Sequence, residues 1–389
     1  MKVVHLFDWY LPSTLSWVGR LLFRLQEHCE ISVAAPWIVQ GEYLIAGMQS
    51  LVFPLQNRLF PNVQSEWQYP LGQRLFARSQ RFMPLYPRWL YEQLRASPPD
   101  MFHAHFGPTG CLYLPLAEKL DRPLIVTFYG FDYRKLLLRR PVFIKKYRRL
   151  FDRAARVIAA SATGAEALAA MGCPSEKLAV VAPSPALERF PFVHSEKPAG
   201  QLNLVQAATF TPKKGHATTL NALALALPDC PNLRLTLAGE KYDRGTVREV
   251  ETLIRTLHLH QVVEWLDFVP HVQMADFLAR FDAFIQPSRT TAAGDHEATP
   301  VALLEAMATG LPVLATRHFD LPDQVITGFN GWLAEEGNAP GLADAIKQFY
   351  FMQNSDYQYY RQNARQHVET NFSLERSSER LLALYKTLL

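Results

Sequence analysis

Residues 281–317 read FDAFIQPSRTTAAGDHEATPVALLEAMATGLPVLATR. The run opens with an apolar stretch, FDAFIQPS, and closes with another, PVLATR. Between them Thr299 and Pro300 supply an N-cap and a first-turn proline, and Gly310 with Pro312 stops the helix. A strand, a loop, a helix and a second strand in that order predict parallel pairing under a helical cover. Two carboxylates interrupt it. Glu297 stands on the loop just outside the helix start, and Glu305 lies inside VALLEAMA, which has no other charge. Val301, Ala302 and Ala308 offer Glu305 no basic partner at helical spacing. An unpartnered buried charge is unfavourable, so the expected partner is a ligand.

The same alternation continues outward in both directions. KVVHLF, ISVAAP, MFHAHF, PLIVTFYG and RVIAAS read as strands of a first half, with helical patterns between them. LNLVQAA, LRLTLAG, VVEWLDF, AFIQPS and PVLATR do the same in a second half. The proline-rich polar segment 182–201, APSPALERFPFVHSEKPAGQ, is the linker. A length of 389 residues also favours two cores. The prediction is α/β: two Rossmann-like, doubly wound parallel-sheet domains over 1–190 and 191–372, facing a central cleft. Residues 373–389, SLERSSERLLALYKTLL, form a terminal helix. Ligands are expected beyond the carboxyl ends of the strands.

Four cysteines without a C-x-x-C pair argue against a disulfide framework or a structural zinc site and suit a reducing cytoplasm. MKVVHLFDWYLP lacks the apolar core and cleavage site of a signal peptide, and no run of about 18 apolar residues exists to span a membrane. The net charge of +4 is unevenly spread: residues 1–190 carry 23 Lys+Arg against 14 Asp+Glu, and residues 191–389 carry 17 against 22. Residues 134–156 hold ten basic side chains and one acidic one, Asp152, interleaved with Leu, Phe, Ile and Tyr. Such a segment suits either an anionic membrane surface or a solvated helix face. No nucleic-acid motif accompanies it.

A helix start presents free N–H groups and suits a phosphate. Carboxylates beside it can accept from the vicinal hydroxyls of a ribose or hexose. A second anion element is FTPKKGHATTLNAL, where the loop 209–215 joins a strand to a helix and places a lysine at its mouth. There it can neutralise a departing pyrophosphate.

The spacing of Glu297 and Glu305, the run EATPVALLEAMATGLPVLAT and the earlier KKGH resemble the retaining GT-B glycosyltransferases of family four, in particular the branch that builds exopolysaccharides of the colanic-acid type. HAHFGPTG, VTFYG and nearly all of 202–350 carry the likeness. The resemblance implies a hexosyltransferase-type enzyme that moves a sugar from a nucleotide-sugar donor to a glycan or lipid-linked acceptor, with retention. It needs no cofactor and no bound metal, and it works in the cytoplasm or at the inner membrane face. Glu305 would hold the ribose hydroxyls and Glu297 those of the transferred sugar. The backbone of Ala298, Thr299, Pro300 and Val301 would line the diphosphate, and Lys214, before Gly215, would stabilise the leaving nucleotide.

Three departures accompany the match. The family carries an arginine six residues before the glycine of K-G, where this chain has Thr209, and Lys213 can substitute. It has histidine in T-F-H-G, where this chain has Tyr129. Its linker carries an N-G or P-G pair, which APSPALERF lacks. A non-catalytic GT-B partner protein and a sugar-nucleotide epimerase are the alternatives. On the acceptor side, His103 and His105 are expected to point to opposite faces of a strand end, with His105 toward the cleft. The loop WYLPSTLSW offers Ser13, Thr14 and Ser16 to hydroxyls, or simply turns. Aromatics and arginines concentrated in 67–91 suit a lipid-linked acceptor or a core.

Overall fold

A computed structural model describes residues 1–8, 16–36, 48–52 and 85–389, and they divide into two compact units. The first comprises Met1–Pro183 with Glu375–Leu389, the second Ser184–Leu374. The break therefore precedes 190. Phe190 is buried in the second unit, where its carbonyl accepts from Arg365 Nη1 at 2.6 Å.

In the first unit the strands are β1 (Lys2–Leu6), β2 (Glu30–Ala35), β3 (Gln49–Val52), β4 (Met101–His105), β5 (Leu124–Phe128), β6 (Arg156–Ala159) and β7 (Leu178–Val180). They lie in the order β3-β2-β1-β4-β5-β6-β7, with every pair parallel. The helices are α1 (Ser16–Leu25), α2 (Leu85–Leu94), α3 (Gly107–Leu120), α4 (Lys135–Arg139), α5 (Val142–Arg153) and α6 (Ala162–Ala170). β4 and β5 are buried along their whole length, as expected of strands covered on both faces.

The second unit repeats the plan. Its sheet runs β10-β9-β8-β11-β12-β13, again all parallel. The strands are β8 (Leu202–Ala207), β9 (Leu233–Ala238), β10 (Val263–Leu266), β11 (Ala283–Gln286), β12 (Val313–Thr316) and β13 (Gly331–Ala334). Its helices are α7 (His216–Ala226), α8 (Arg244–Thr256), α9 (Met274–Leu278), α10 (Val301–Ala308), α11 (Leu321–Gln324), α12 (Ala339–Phe351) and α13 (Asn354–Asn371). The last helix, α14 (Leu374–Lys386), returns the chain to the first unit, where Ser377 Oγ donates to the Ala182 carbonyl at 2.9 Å.

Both sheets reverse their winding between two central strands, β1 and β4 in one unit and β8 and β11 in the other. At such a switch point the loops leave in opposite directions and open a crevice. The ten strands read from sequence are present. β3, β7 and β13 were not foreseen: they are edge strands of four, three and four residues, too short to show a period.

Candidate active site

Gln206, at the end of β8, fixes the lysine loop. Its Nε2 donates to the Lys214 carbonyl at 2.8 Å, and its Oε1 accepts from Thr219 Oγ1 at 2.7 Å. A 3-10 turn over Pro212–Lys214 then ends at Gly215, whose φ is 72°. A Cβ there would lie 1.9 Å from the Pro287 carbonyl oxygen, so only glycine lets the β8 loop approach the β11 loop this closely. Arg289 N–H donates to the Lys213 carbonyl at 2.9 Å across the same seam. Thr209 lies half-buried just after β8.

The seam brings the half-buried Lys214 and the buried Glu297 into an ion pair, Nζ to Oε2. Lys213 Nζ donates to the His296 carbonyl at 3.2 Å and stands 3.9 Å from Asp295. Burial pushes the pKa of Lys214 down, and Glu297 offsets that only in part. Burial would push Glu297 up, but the charges of Lys214 and Lys213 outweigh it and hold the carboxyl at about 2. That lies below the 4.5 of an ordinary glutamate. Its stabilisation is therefore complete above pH 4.5 and is lost as the pH falls toward 2. On acidification from about pH 5 to about pH 3 the thermal midpoint of the second unit should fall more steeply in the wild type than in Glu297→Gln. Parallel calorimetric profiles would mean that the pair is not ionised.

The Glu297 loop is tied from beneath. Glu297 N–H donates to His318 Nε2 at 3.0 Å, and His318 Nδ1 lies 2.9 Å from Glu336 Oε2. Thr290 N–H donates to the other oxygen of Glu336. These partners were missed in the sequence because they follow the next two strands.

Helix α10 begins one residue later than predicted. Pro300, at φ −74° and ψ 109°, is not helical and occupies the N-cap position, with no side-chain cap. Thr299 is thus one residue too far out to cap, and its hydroxyl donates to Asp320 Oδ2 at 3.3 Å. The half-buried Ala298, Val301 and Ala302 flank this uncapped start. At the other end Arg365 Nη1 donates to the Ala308 carbonyl at 2.7 Å, a cation where the helix dipole favours one.

Glu305 is buried, but it does have a protein partner. His271, in the 3-10 turn His271–Gln273 after β10, places Nε2 2.8 Å from Oε1. Helical spacing could not show this, since the partner lies outside the helix.

In the first unit, His103 and His105 do not diverge. Residues two apart on a strand share a face, and both rings are buried and stacked, 4.7 Å apart and 17° from parallel. Across the β1/β4 switch point His5 Nδ1 lies 2.9 Å from His105 Nε2. His105 Nδ1 lies 2.6 Å from the Tyr129 hydroxyl, and His103 bonds Tyr385 of α14 at 2.6 Å and Thr127 at 2.7 Å. Burial holds all three imidazoles neutral, His103 at about 3. Their nitrogens cluster within 4.8 Å, the one such group among the described residues. The His5 ring is tilted by 42° from His103, and every ring nitrogen of the three has a hydrogen-bond partner. The three rings form a hydrogen-bonded chain.

Tyr129 is steadied from its backbone as well. Asp132 accepts from the N–H groups of Gly107 at 3.0 Å and of Tyr129 and Gly130 at 3.1 Å. Burial raises Asp132 to about 6 despite these donors. Ser16 opens α1, but its side chain, Ser13, Thr14 and most of 67–91 lie outside the described residues. Of that aromatic group, Tyr86 is core, donating to the Leu51 carbonyl at 2.5 Å.

Two doubly wound parallel sheets, one with a lysine and two glutamates around its switch point, define the GT-B class of glycosyltransferases. Residues 189–367 match the glycosyl transferases group 1 family, and residues 66–184 match the glycosyl transferase 4-like domain. The chain is 32% identical over 297 residues to WcaL of Salmonella typhimurium, named for glycosyl transfer in colanic acid biosynthesis, covering 74% of this chain and 71% of WcaL. It is 33% identical over 248 residues to the amylovoran biosynthesis glycosyltransferase AmsK of Erwinia amylovora, covering 63% of this chain and 60% of AmsK. Among solved structures, Anabaena Alr3699/HepE in complex with UDP superposes with a TM-score of 0.76 at 17% identity, over 100% of both chains. The chain belongs to the glycosyl transferases group 1 family and is a glycosyltransferase.

Proposed function

We propose that this enzyme transfers a hexose from a nucleotide sugar to a glycan or lipid-linked saccharide, with retention, in cell-surface polysaccharide biosynthesis. The observation that carries this is the Lys214–Glu297 ion pair beside the start of α10, which has no side-chain cap. Lysine and helix N–H groups suit a diphosphate, and Glu297 and Glu305 suit hydroxyls on either side of it. In the free enzyme the two charges neutralise each other. A bound donor would divide them, Lys214 turning to the diphosphate and Glu297 to the sugar.

The donor's anomeric C–O bond breaks, and its electron pair goes to the β-phosphate oxygen, where Lys214 stabilises the charge. The acceptor oxygen forms the new bond on the same face, and its proton passes to the departing phosphate. No carboxylate need attack, and no metal or cofactor is required in this scheme. WcaL and AmsK are named for exopolysaccharide synthesis, and HepE structures contain UDP or UDP-glucose. Both facts favour this chemistry. A thermal-shift and turnover panel of UDP-, GDP- and ADP-hexoses tests the proposal, with the anomer of the product read by NMR. An inverted product rejects retention, and product formed without acceptor favours an epimerase.

The acceptor side supports work at the cytoplasmic face of a membrane. In the first unit Phe131, Leu138, Val142 and Ile144 are exposed among the exposed Arg139, Arg140, Lys145 and Lys146. Arg149 and Arg153, by contrast, pair with Glu118 at 3.0 Å. No helix among the described residues is long and apolar enough to cross a membrane. Each basic residue near an anionic surface contributes about 1 kcal/mol. Partition onto vesicles containing phosphatidylserine should therefore drop about fivefold for Lys145→Ala and again for Lys146→Ala. Equal sedimentation with purely zwitterionic vesicles would rule the surface out.

A further inference from the structure

The loop carrying Glu297 is closed by two further side chains, His318 and Glu336. A backbone N–H can only donate, so His318 Nε2, 3.0 Å from Glu297 N, must present its lone pair. The ring proton of the neutral imidazole then sits on Nδ1 and is donated to Glu336 Oε2 at 2.9 Å. The other Glu336 oxygen accepts from Thr290 N–H. Thr290 and Glu297 stand near the two ends of the β11 loop, while His318 and Glu336 follow the ends of β12 and β13. The loop is thereby clamped to the ends of β12 and β13.

The local backbone adds to this. Phe319 has φ 44°, a strained value for a bulky residue, and its ring stacks on His296 with centroids 4.0 Å apart. The residue before Glu297 is therefore held by the same turn that presents His318. Burial alone would raise the pKa of Glu336, but the donors from His318 and Thr290 outweigh it and keep the carboxyl below its ordinary range. An ionised carboxylate accepts on both oxygens, and that is what the clamp requires.

We propose that Glu336 and His318 are positioning residues for sugar transfer: Glu336 fixes the Nδ1–H tautomer of His318, which holds the Glu297 main chain and so aims its carboxylate at the donor. This rests on the reading that Glu297 and Lys214 engage the donor. Glutamine cannot replace Glu336. With its oxygen toward Thr290, its amide N–H faces His318 Nδ1, and the ring must switch and oppose the Glu297 N–H donor to donor. With its oxygen toward His318, its amide opposes the Thr290 N–H.

Nitrogen-15 NMR of the full-length enzyme, with His318 assigned by its loss in His318→Gln, should show protonated Nδ1 and unprotonated Nε2. The opposite tautomer overturns the proposal without any variant needing to fold. Glu336→Gln should lower kcat for hydrolysis of the best sugar nucleotide in the hexose panel by about tenfold, as expected for a small misplacement of a contact group. The affinity for the nucleoside diphosphate alone should stay within about twofold, because Glu305 and α10 are untouched. If Glu297→Gln loses activity while Glu336→Gln keeps wild-type kcat, the clamp is overturned and the donor site stands. If Glu297→Gln itself keeps wild-type kcat, the donor site has failed and the positioning role falls with it.

Discussion

Lys214→Met should lower kcat by about 10²–10³, the usual cost of removing a preorganised donor from developing charge, while nucleotide affinity changes less than tenfold. The substitution also leaves Glu297 buried without its main counter-charge. Removing one partner of a buried pair costs about 3–5 kcal/mol, and a carboxyl answers such a loss by binding a proton. Burial is the largest influence on Glu297 and acts to raise its pKa, so that pKa should climb in the variant. The double variant Lys214→Met, Glu297→Gln removes the stranded charge. It should recover much of the thermal stability and none of the rate. Steady-state kinetics and calorimetry on the three proteins separate the two consequences. A single variant with wild-type kcat would remove Lys214 from the chemistry.

How much of this was legible in the sequence depended on distance along the chain. The lysine and the two glutamates could be placed because glycine and proline punctuate their own segments, and strand-to-helix turns have local signatures. The inner strands were legible for the same reason: continuous apolar runs mark burial on both faces. Their partners were not. His318 stands 21 residues beyond Glu297 and His271 stands 34 before Glu305, and only sheet order brings them together. A histidine after a strand carries no mark in the sequence that a carboxylate will meet it.

The two histidines of β4 teach a different lesson. Their spacing was visible and should have placed both on one face. What the spacing could not show is that His5 and Tyr385, from opposite ends of the chain, would join them. Tyr129 is correspondingly no isolated replacement for histidine. Its hydroxyl is held by a histidine, and its backbone by Asp132.

The second large effect is expected at Glu305. Glu305→Ala should weaken binding of the nucleoside diphosphate by about 10- to 100-fold, the range for losing a charge-assisted hydrogen bond of about 1.5–3 kcal/mol. The value of kcat at saturation should change little, because a ribose contact is made equally in the ground and transition states. His271 refines the expectation. Its Nε2 engages Oε1 and so orients the carboxylate from outside the helix. His271→Ala, which leaves the carboxylate in place but unsteadied, should weaken the same binding by a smaller factor, and Glu305→Gln should fall between the two. Calorimetric titration with UDP, GDP and ADP reads all three variants, and a 2′-deoxynucleotide supplies the control. It should bind the wild type less tightly than the ribonucleotide, and it should lose little further affinity in Glu305→Ala. If Glu305→Ala binds every nucleotide as the wild type does, the carboxylate in VALLEAMA belongs to His271 alone and the ribose lies elsewhere.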